Sequence, residues 1–202
     1  MYSGRQIPDS WWWQVGISRL ETFTDLKDFV ANPCYNEQRQ QSLSRLDIDQ
    51  IDPPIIGLIS GFAKLSYCFT LQSCYGHFLH SHQKDDHNIE ALPSTASILS
   101  VDYRIAYIAL CIENSSSGKA LFDDFGGIPA TDPDYIQFGC AEWFWERQVN
   151  SYALQVEPRG YMTKDKVRVG YQEALQIERV RNRFFDRLNK LLRTRLESIY
   201  SG

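Results

Sequence analysis

Hydrophobic residues recur at intervals of three and four in two segments of the chain, which is the spacing of an amphipathic helix. In residues 52–65, Ile55, Ile59 and Phe62 form one apolar face behind an aspartate and a proline that suit a helix start. Residues 166–199 keep the same spacing over a much longer stretch. The pattern therefore predicts one helix over residues 52–65 and a long amphipathic helix over residues 166–199.

Between these helices the pattern changes to β-branched and aromatic runs bounded by turn residues, which predict strands. The runs cover residues 66–73, 77–82, 101–113, 136–145 and 149–158. Further helices are predicted over residues 24–30 and 115–125, and residues 36–45 suit an exposed helix or a loop. These elements predict a single α+β domain over residues 1–202, in which N-terminal helices and the long C-terminal helix pack a mixed sheet of about four to six strands.

The composition is that of a folded protein, because hydrophobic residues make up 43% of the chain and aromatic residues 13%. The longest apolar runs, such as residues 105–112, are too short to span a bilayer, and the N-terminal residues lack a secretory signal pattern. The five cysteines are odd in number and widely spread, which favours reduced thiols over a disulfide framework. Together these features predict a cytoplasmic protein without a membrane segment.

Charge is distributed unevenly, although the net charge of the chain is only −4. From position 164 onward, ten basic residues face five acidic ones, whereas the acidic residues are in excess before that position. A basic C-terminal helix is able to contact the phosphates of an RNA. It is equally able to pack against the acidic body of the protein or against a second subunit, so both interpretations stay open.

The histidines of the chain are clustered together with one cysteine in residues 74–87. The cluster contains Cys74, His77, His80, His82 and His87. Thiolate and imidazole are ligands that zinc prefers in proteins. A metal site is therefore one interpretation of the cluster, and a polar loop with exposed histidines is the alternative.

A specific metal geometry follows if residues 77–82 form a strand. His80 and His82 then lie on the same face, because strand side chains alternate with a period of two. Asp85, Asp86 or His87 is able to complete a tetrahedron from the loop that follows. The prediction from this pattern is a zinc site at His80, His82 and His87.

Other chemistries are also compatible with the turn at residues 73–77. Cys74 with His77 three residues later suggests a nucleophilic thiolate beside an imidazole. Successive backbone N–H groups with a glycine at Gly76 suggest a small anion-binding nest. Each of these interpretations places a ligand at this turn.

One longer pattern around this turn is more specific. An acidic residue opens an apolar helix, a short link follows, and an aromatic strand with a threonine leads into a serine–cysteine turn. The matching residues are Asp52, Ile55, Leu58, Ile59, Phe69, Thr70, Ser73, Cys74 and Gly76. In this pattern the chain resembles the tRNA wybutosine-synthesis methyltransferase family, the third enzyme of that pathway, and residues 178–192 resemble the closing helix of that family in character.

The resemblance implies an α+β fold, S-adenosylmethionine as the cofactor, and methyl transfer to a modified guanosine of a tRNA. It also implies a ligand-binding turn formed by Thr70, Ser73, Cys74, Gly76 and His77. The chain departs from the family pattern at Tyr75, where a serine is expected, and at His77, where an arginine is expected. A phosphate or carboxylate contact at position 77 would therefore depend on the protonation of an imidazole.

Overall fold

The computed structural model describes residues 23–85, 87–94, 97–159 and 165–200. This part of the chain contains eight strands and five α-helices. In chain order they are β1 (Phe23–Thr24), α1 (Tyr35–Ser44), α2 (Ile56–Phe62), β2 (Cys68–Cys74), β3 (His77–Leu79), β4 (Ser100–Arg104), β5 (Ala106–Ile112), α3 (Ser116–Gly126), β6 (Ile136–Ala141), α4 (Glu142–Arg147), β7 (Ser151–Val156), β8 (Lys166–Gly170) and α5 (Tyr171–Tyr200).

The strands form two sheets in which each pairing is antiparallel. The larger sheet has the order β1–β6–β7–β5–β2, and the smaller sheet has the order β3–β4–β8. The predicted α+β fold is therefore confirmed, with the strands divided between two antiparallel sheets.

Two of the points at which the chain crosses between the two sheets are short connections between consecutive strands. β2 leads into β3 through residues 75–76, and β4 leads into β5 through Ile105. The buried Tyr103 hydroxyl stabilises the second crossing, because it donates to the Val156 carbonyl at 2.9 Å and accepts the Ala106 N–H at 2.8 Å. The predicted strand over residues 101–113 is thus two strands that belong to different sheets.

The first crossing requires a glycine. Gly76 has a φ of 90°, a conformation that side chains other than glycine rarely adopt. A Cβ at this position would also lie 2.8 Å from the Cβ of Ala106. The turn between β2 and β3 is therefore pressed directly against the start of β5.

Helices α2, α3 and α5 cover the inner faces of both sheets and share one hydrophobic cluster with them. α5 contributes an apolar stripe at helical spacing to this cluster: Ala174, Ile177, Val180, Phe184, Leu188 and Leu192. α1 covers the opposite face of β2, where the ring of Tyr35 lies 5.6 Å from the ring of Phe69.

Three predicted elements are wrong. Residues 25–30 are not helical, and the side chain of the buried Asn150 binds both the N–H and the carbonyl of Val30 at the end of this segment. Residues 142–145 belong to helix α4 and not to a strand, and the Arg147 guanidinium lies over the Trp143 ring one helical turn earlier. Residues 166–170 form β8, so the C-terminal helix begins at Tyr171.

Other predicted elements are confirmed. Residues 116–126 form α3, and the Ser115 hydroxyl accepts the Gly118 N–H at 3.2 Å as an N-cap. Residues 36–44 lie in helix α1, so the helical interpretation of this segment is confirmed. The predicted helix over residues 52–65 is shorter, with a 3₁₀ turn at Pro53–Ile55 that leads into α2.

Candidate functional site

The two crossings between the sheets bring the predicted turn to the centre of the structure. Cys74 is the last residue of β2 in the larger sheet, and His77 is the first residue of β3 in the smaller one. Both side chains are buried, with 4% of Cys74 and 2% of His77 exposed. Because Gly76 folds the chain back between them, two residues of different sheets face the same point.

Asp52 is the third member of this group. The sequence suggests a helix N-cap, yet its carboxylate makes no capping hydrogen bond to the helix that follows. It accepts the Tyr75 N–H at 2.7 Å instead, and its Oδ2 lies 3.3 Å from Nε2 of His77. The carboxylate thus binds the turn that carries Cys74 and His77.

The ring of His77 is fixed at both nitrogens. Its Nδ1 lies 3.2 Å from the Asn88 carbonyl, a contact in which an N–H at Nδ1 donates. This leaves Nε2 directed toward Asp52. A histidine whose Nδ1–H is held by a backbone carbonyl has the orientation and tautomer that metal-binding histidines commonly show.

Electrostatics couple the members of the group. Burial disfavours the charged form of His77, but hydrogen bonds with Asp52 and Cys74 outweigh burial and raise the pKa of His77 to about 10. Burial would also raise the pKa of Asp52, but hydrogen bonds from His77 and the Tyr75 N–H lower it below its usual range. Without a metal, the pair is therefore an imidazolium and a carboxylate at neutral pH.

The same three residues are able to hold a metal ion. One ligand atom each from Asp52, Cys74 and His77 lies within 4.8 Å of the others. Zinc bonds of about 2.0–2.3 Å in a tetrahedron separate ligand atoms by roughly 3.3–3.7 Å, so only a small contraction is needed. Sulfur, nitrogen and oxygen ligands of these types all fit zinc.

A buried arginine supports the turn from α5. Arg181 is 2% exposed, and it donates from Nη1 to the Gly76 carbonyl at 2.9 Å. Its guanidinium also lies 4.2 Å from the centre of the Tyr75 ring and donates to the Asn182 side chain. Arg181 therefore connects the long helix to the backbone between Cys74 and His77.

The other predicted ligand-turn residues contribute no side chain to this group. Thr70 lies earlier in β2, where its Oγ1 is buried and has no hydrogen-bond partner among the described residues. Ser73 precedes Cys74 in the strand, so its side chain is directed to the opposite face. Gly76 contributes its backbone conformation and its carbonyl.

The predicted zinc ligands His80, His82 and His87 also lie outside this group. The rings of His80 and His82 are 6.3 Å apart in the exposed turn after β3, and that of His87 is 6.4 Å from the ring of His77. Among the described residues, the metal-ligand atoms that lie within 4.8 Å of one another belong to Asp52, Cys74 and His77.

Sequence reasoning missed two residues, namely Asp52 as a ligand and Arg181 as the side chain that supports the turn. The proline after Asp52 favoured the capping role, and nothing local in the sequence links position 52 to position 77. Arg181 did carry a signal, because it follows Ile177 by four residues and Val180 by one, both of which belong to the apolar stripe of α5. A charged residue on a buried stripe indicates a specific partner.

Part of the basic surface of α5 is paired with acidic residues of the body. Arg183 binds Asp132, and Arg195 binds Asp124. Among the described residues no helix is both long and apolar enough to cross a membrane. Comparisons of the chain with protein-family models, with curated proteins and with solved structures give no match.

Proposed function

We propose that this protein binds zinc at a centre formed by Asp52, Cys74 and His77. The observation that carries the proposal is the convergence of three different ligand atoms within 4.8 Å at a buried point between two sheets. Two further contacts support it, namely the Asn88 carbonyl on Nδ1 of His77 and the Tyr75 N–H on the Asp52 carboxylate. Such outer contacts hold ligands in the orientation that a metal requires.

The number of ligands favours a reactive centre. Structural zinc sites usually have four protein ligands, whereas catalytic ones have three and leave a fourth position for water or substrate. Asp52 and Cys74 bind as anions and neutralise the charge of the ion, and His77 binds as a neutral imidazole. A zinc ion here would supply a Lewis acid at its open position.

Metal analysis of protein produced without a histidine tag tests this proposal. We expect about one zinc per chain in the wild-type protein, and less than about a tenth of that in Cys74→Ser and His77→Gln. The matched control is the double variant His80→Gln/His82→Gln, which removes the exposed histidine pair and should retain the zinc. The proposal is contradicted if the wild-type protein contains no zinc. It is also contradicted if the control variant loses the zinc while Cys74→Ser and His77→Gln retain it.

A second candidate function follows from the resemblance to the wybutosine-synthesis methyltransferases. Asp52, Cys74 and His77 all occupy the segment that carries the resemblance, and they meet in space. That meeting favours a ligand site at this turn, for which S-adenosylmethionine and methyl transfer to an RNA base are the implied chemistry. Calorimetry with S-adenosylmethionine tests it, and no heat at concentrations on the order of hundreds of micromolar removes this candidate.

A further inference from the structure

A groove with a volume of about 540 Å³ lies between α2 and α5. α2 contributes Gly57 and Gly61 to its lining, and α5 contributes Leu192 and Leu196. The side chain of Leu192 occupies the space beside Gly61, whereas a Cβ on Gly57 would meet nothing within 4 Å. The groove is therefore apolar beside Gly61 and open at Gly57, where the side chain of another molecule has room to enter.

Charged and polar side chains line the same groove. Asp186, Asn189 and Arg193 follow one another at intervals of three and four residues, so they form one stripe along α5. Lys64, just after α2, lines the groove as well. Within the described part of the chain, Asp186, Arg193 and Lys64 form no ion pair, whereas two other arginines of α5 bind acidic residues of the body. The groove therefore presents unpaired charges of both signs.

The spacing of these charges makes the stripe complementary to itself. Asp186 and Arg193 are seven residues apart, which is two turns or about 10.5 Å along the helix axis. When a second α5 lies antiparallel on the first, Asp186 of each copy faces Arg193 of the other. Asn189 then lies near the two-fold axis, where its amide offers a donor and an acceptor to the second copy. Two-fold dimers are the commonest oligomers, and they bring the same surface of both subunits together.

The same features disfavour RNA as the occupant of the groove. Asp186 would repel the phosphates of a nucleic acid, and the apolar side chains of Leu192 and Leu196 offer them no contact. A second copy uses all of these groups, because it brings a cation to Asp186 and apolar surface to the leucines. We propose that this groove is the interface of a two-fold symmetric homodimer in which Asp186 of each copy binds Arg193 of the other. The dimer does not depend on zinc.

Sedimentation velocity of the chain at concentrations from about 1 to 100 µM tests the proposal. We expect a species of twice the chain mass whose population rises with protein concentration. Asp186→Arg should weaken dimerisation by at least about tenfold, because one substitution brings like charges together at two symmetry-related points. Arg193→Asp should have the same effect, and both residues are exposed, so the fold of the monomer should be retained.

Exchange of the two charges is the decisive variant. Asp186→Arg/Arg193→Asp brings opposite charges together again and should restore dimerisation to within about threefold of the wild type. A residue that only stabilises its own helix would give no such rescue. Arg187→Asp is the matched control, because Arg187 is exposed on the same helix but does not line the groove, and it should dimerise like the wild type.

Gly57→Leu tests the groove without a change of charge. Since the monomer has space at this position, circular dichroism should show a folded chain while the dimer is lost. A wild-type protein that stays monomeric over the whole concentration range overturns the proposal, as do Asp186→Arg and Gly57→Leu variants that dimerise like the wild type. A double variant without rescue rejects the antiparallel pairing. A monomeric chain that binds single-stranded RNA, and binds it more weakly after Arg193→Asp, assigns the groove to RNA instead.

Discussion

At the scale of single residues, the central feature is a histidine that binds either a proton or a metal. His77 holds its proton strongly in the metal-free protein, because Asp52 and Cys74 outweigh the effect of burial and raise its pKa to about 10. Zinc requires the neutral imidazole. Metal binding at neutral pH therefore has to displace a proton from His77.

This competition predicts that zinc binding at pH 7 releases at least about one proton. Calorimetry in buffers of different ionisation enthalpy measures the number, because the observed heat changes with the buffer in proportion to the protons released. The His80→Gln/His82→Gln variant should release the same number as the wild type. Heats that do not depend on the buffer contradict the assignment of His77 as a ligand.

The stability of the metal-free protein should depend on pH through the same residue. The folded pKa of His77, about 10, lies above its ordinary value of 6.5, so the protonated form stabilises the fold fully below pH 6.5. That contribution is lost as pH rises toward 10. In urea unfolding with a chelator present, the stability advantage of the wild type over His77→Gln should shrink by about 4 kcal/mol between pH 6 and pH 9.5. An advantage that is constant over this range contradicts the ion pair with Asp52.

Arg181 is a positioning residue for the site, since it contacts the backbone of the turn and none of the three ligand atoms. Arg181→Met should lower zinc affinity by roughly tenfold while the stoichiometry is retained, because the Gly76 carbonyl loses its donor and the ligands lose their orientation. Arg179→Met is the control, because Arg179 is exposed on the same helix and binds only Gln176 among the described residues. Equal zinc affinities of the two variants would remove Arg181 from this role.

At the scale of elements, the contact between α2 and α5 is defined by one of two glycines in α2. A Cβ on Gly61 would overlap the side chain of Leu192, whereas a Cβ on Gly57 would meet nothing within 4 Å. Gly61→Ala should therefore destabilise the fold by about 1–3 kcal/mol through overpacking. Gly57→Ala should stabilise it by about 0.5–1 kcal/mol through helix propensity. Chemical denaturation measures both, and similar values for the two variants contradict this packing.

Sequence reasoning was reliable for elements whose pattern is local. The apolar stripe of α5 and the cap of α3 at Ser115 were both readable from neighbouring residues. It failed at residues 25–30, where the distant side chain of Asn150 binds the backbone of Val30. It also failed at residues 166–170, where Val167 and Val169 alternate with exposed residues as in a strand but run directly into a helical pattern.

For the candidate site, the sequence located the turn but not its partners. Cys74 and His77 were predicted as ligand residues because they are close in sequence and chemically distinctive. Asp52 and Arg181 could not be assigned, because their proximity to the turn depends on how the chain folds back between β2 and β3 and on how α5 packs against it. The number of histidines favoured a metal site in the later part of the cluster. Burial and the convergence of ligand atoms favour a site at its first two members, Cys74 and His77.

At the scale of the whole molecule, the site lies where two sheets, α2 and α5 come together. Cys74 belongs to the larger sheet, His77 to the smaller one, and Asp52 precedes α2. Arg181 joins α5 to the same turn. A metal bound here would connect elements from most of the fold, so the thermal stability of the protein should rise with zinc and fall with a chelator.

In the proposed centre, one thiolate, one imidazole and one carboxylate hold the metal. X-ray absorption at the zinc edge of the wild-type protein tests it most directly, because the sulfur of Cys74 has a bond length different from those of nitrogen and oxygen. We expect one sulfur at about 2.3 Å with nitrogen and oxygen ligands at about 2.0–2.2 Å. A spectrum without sulfur, or one fitted by several histidines alone, would contradict it and assign the metal to the exposed histidines after β3.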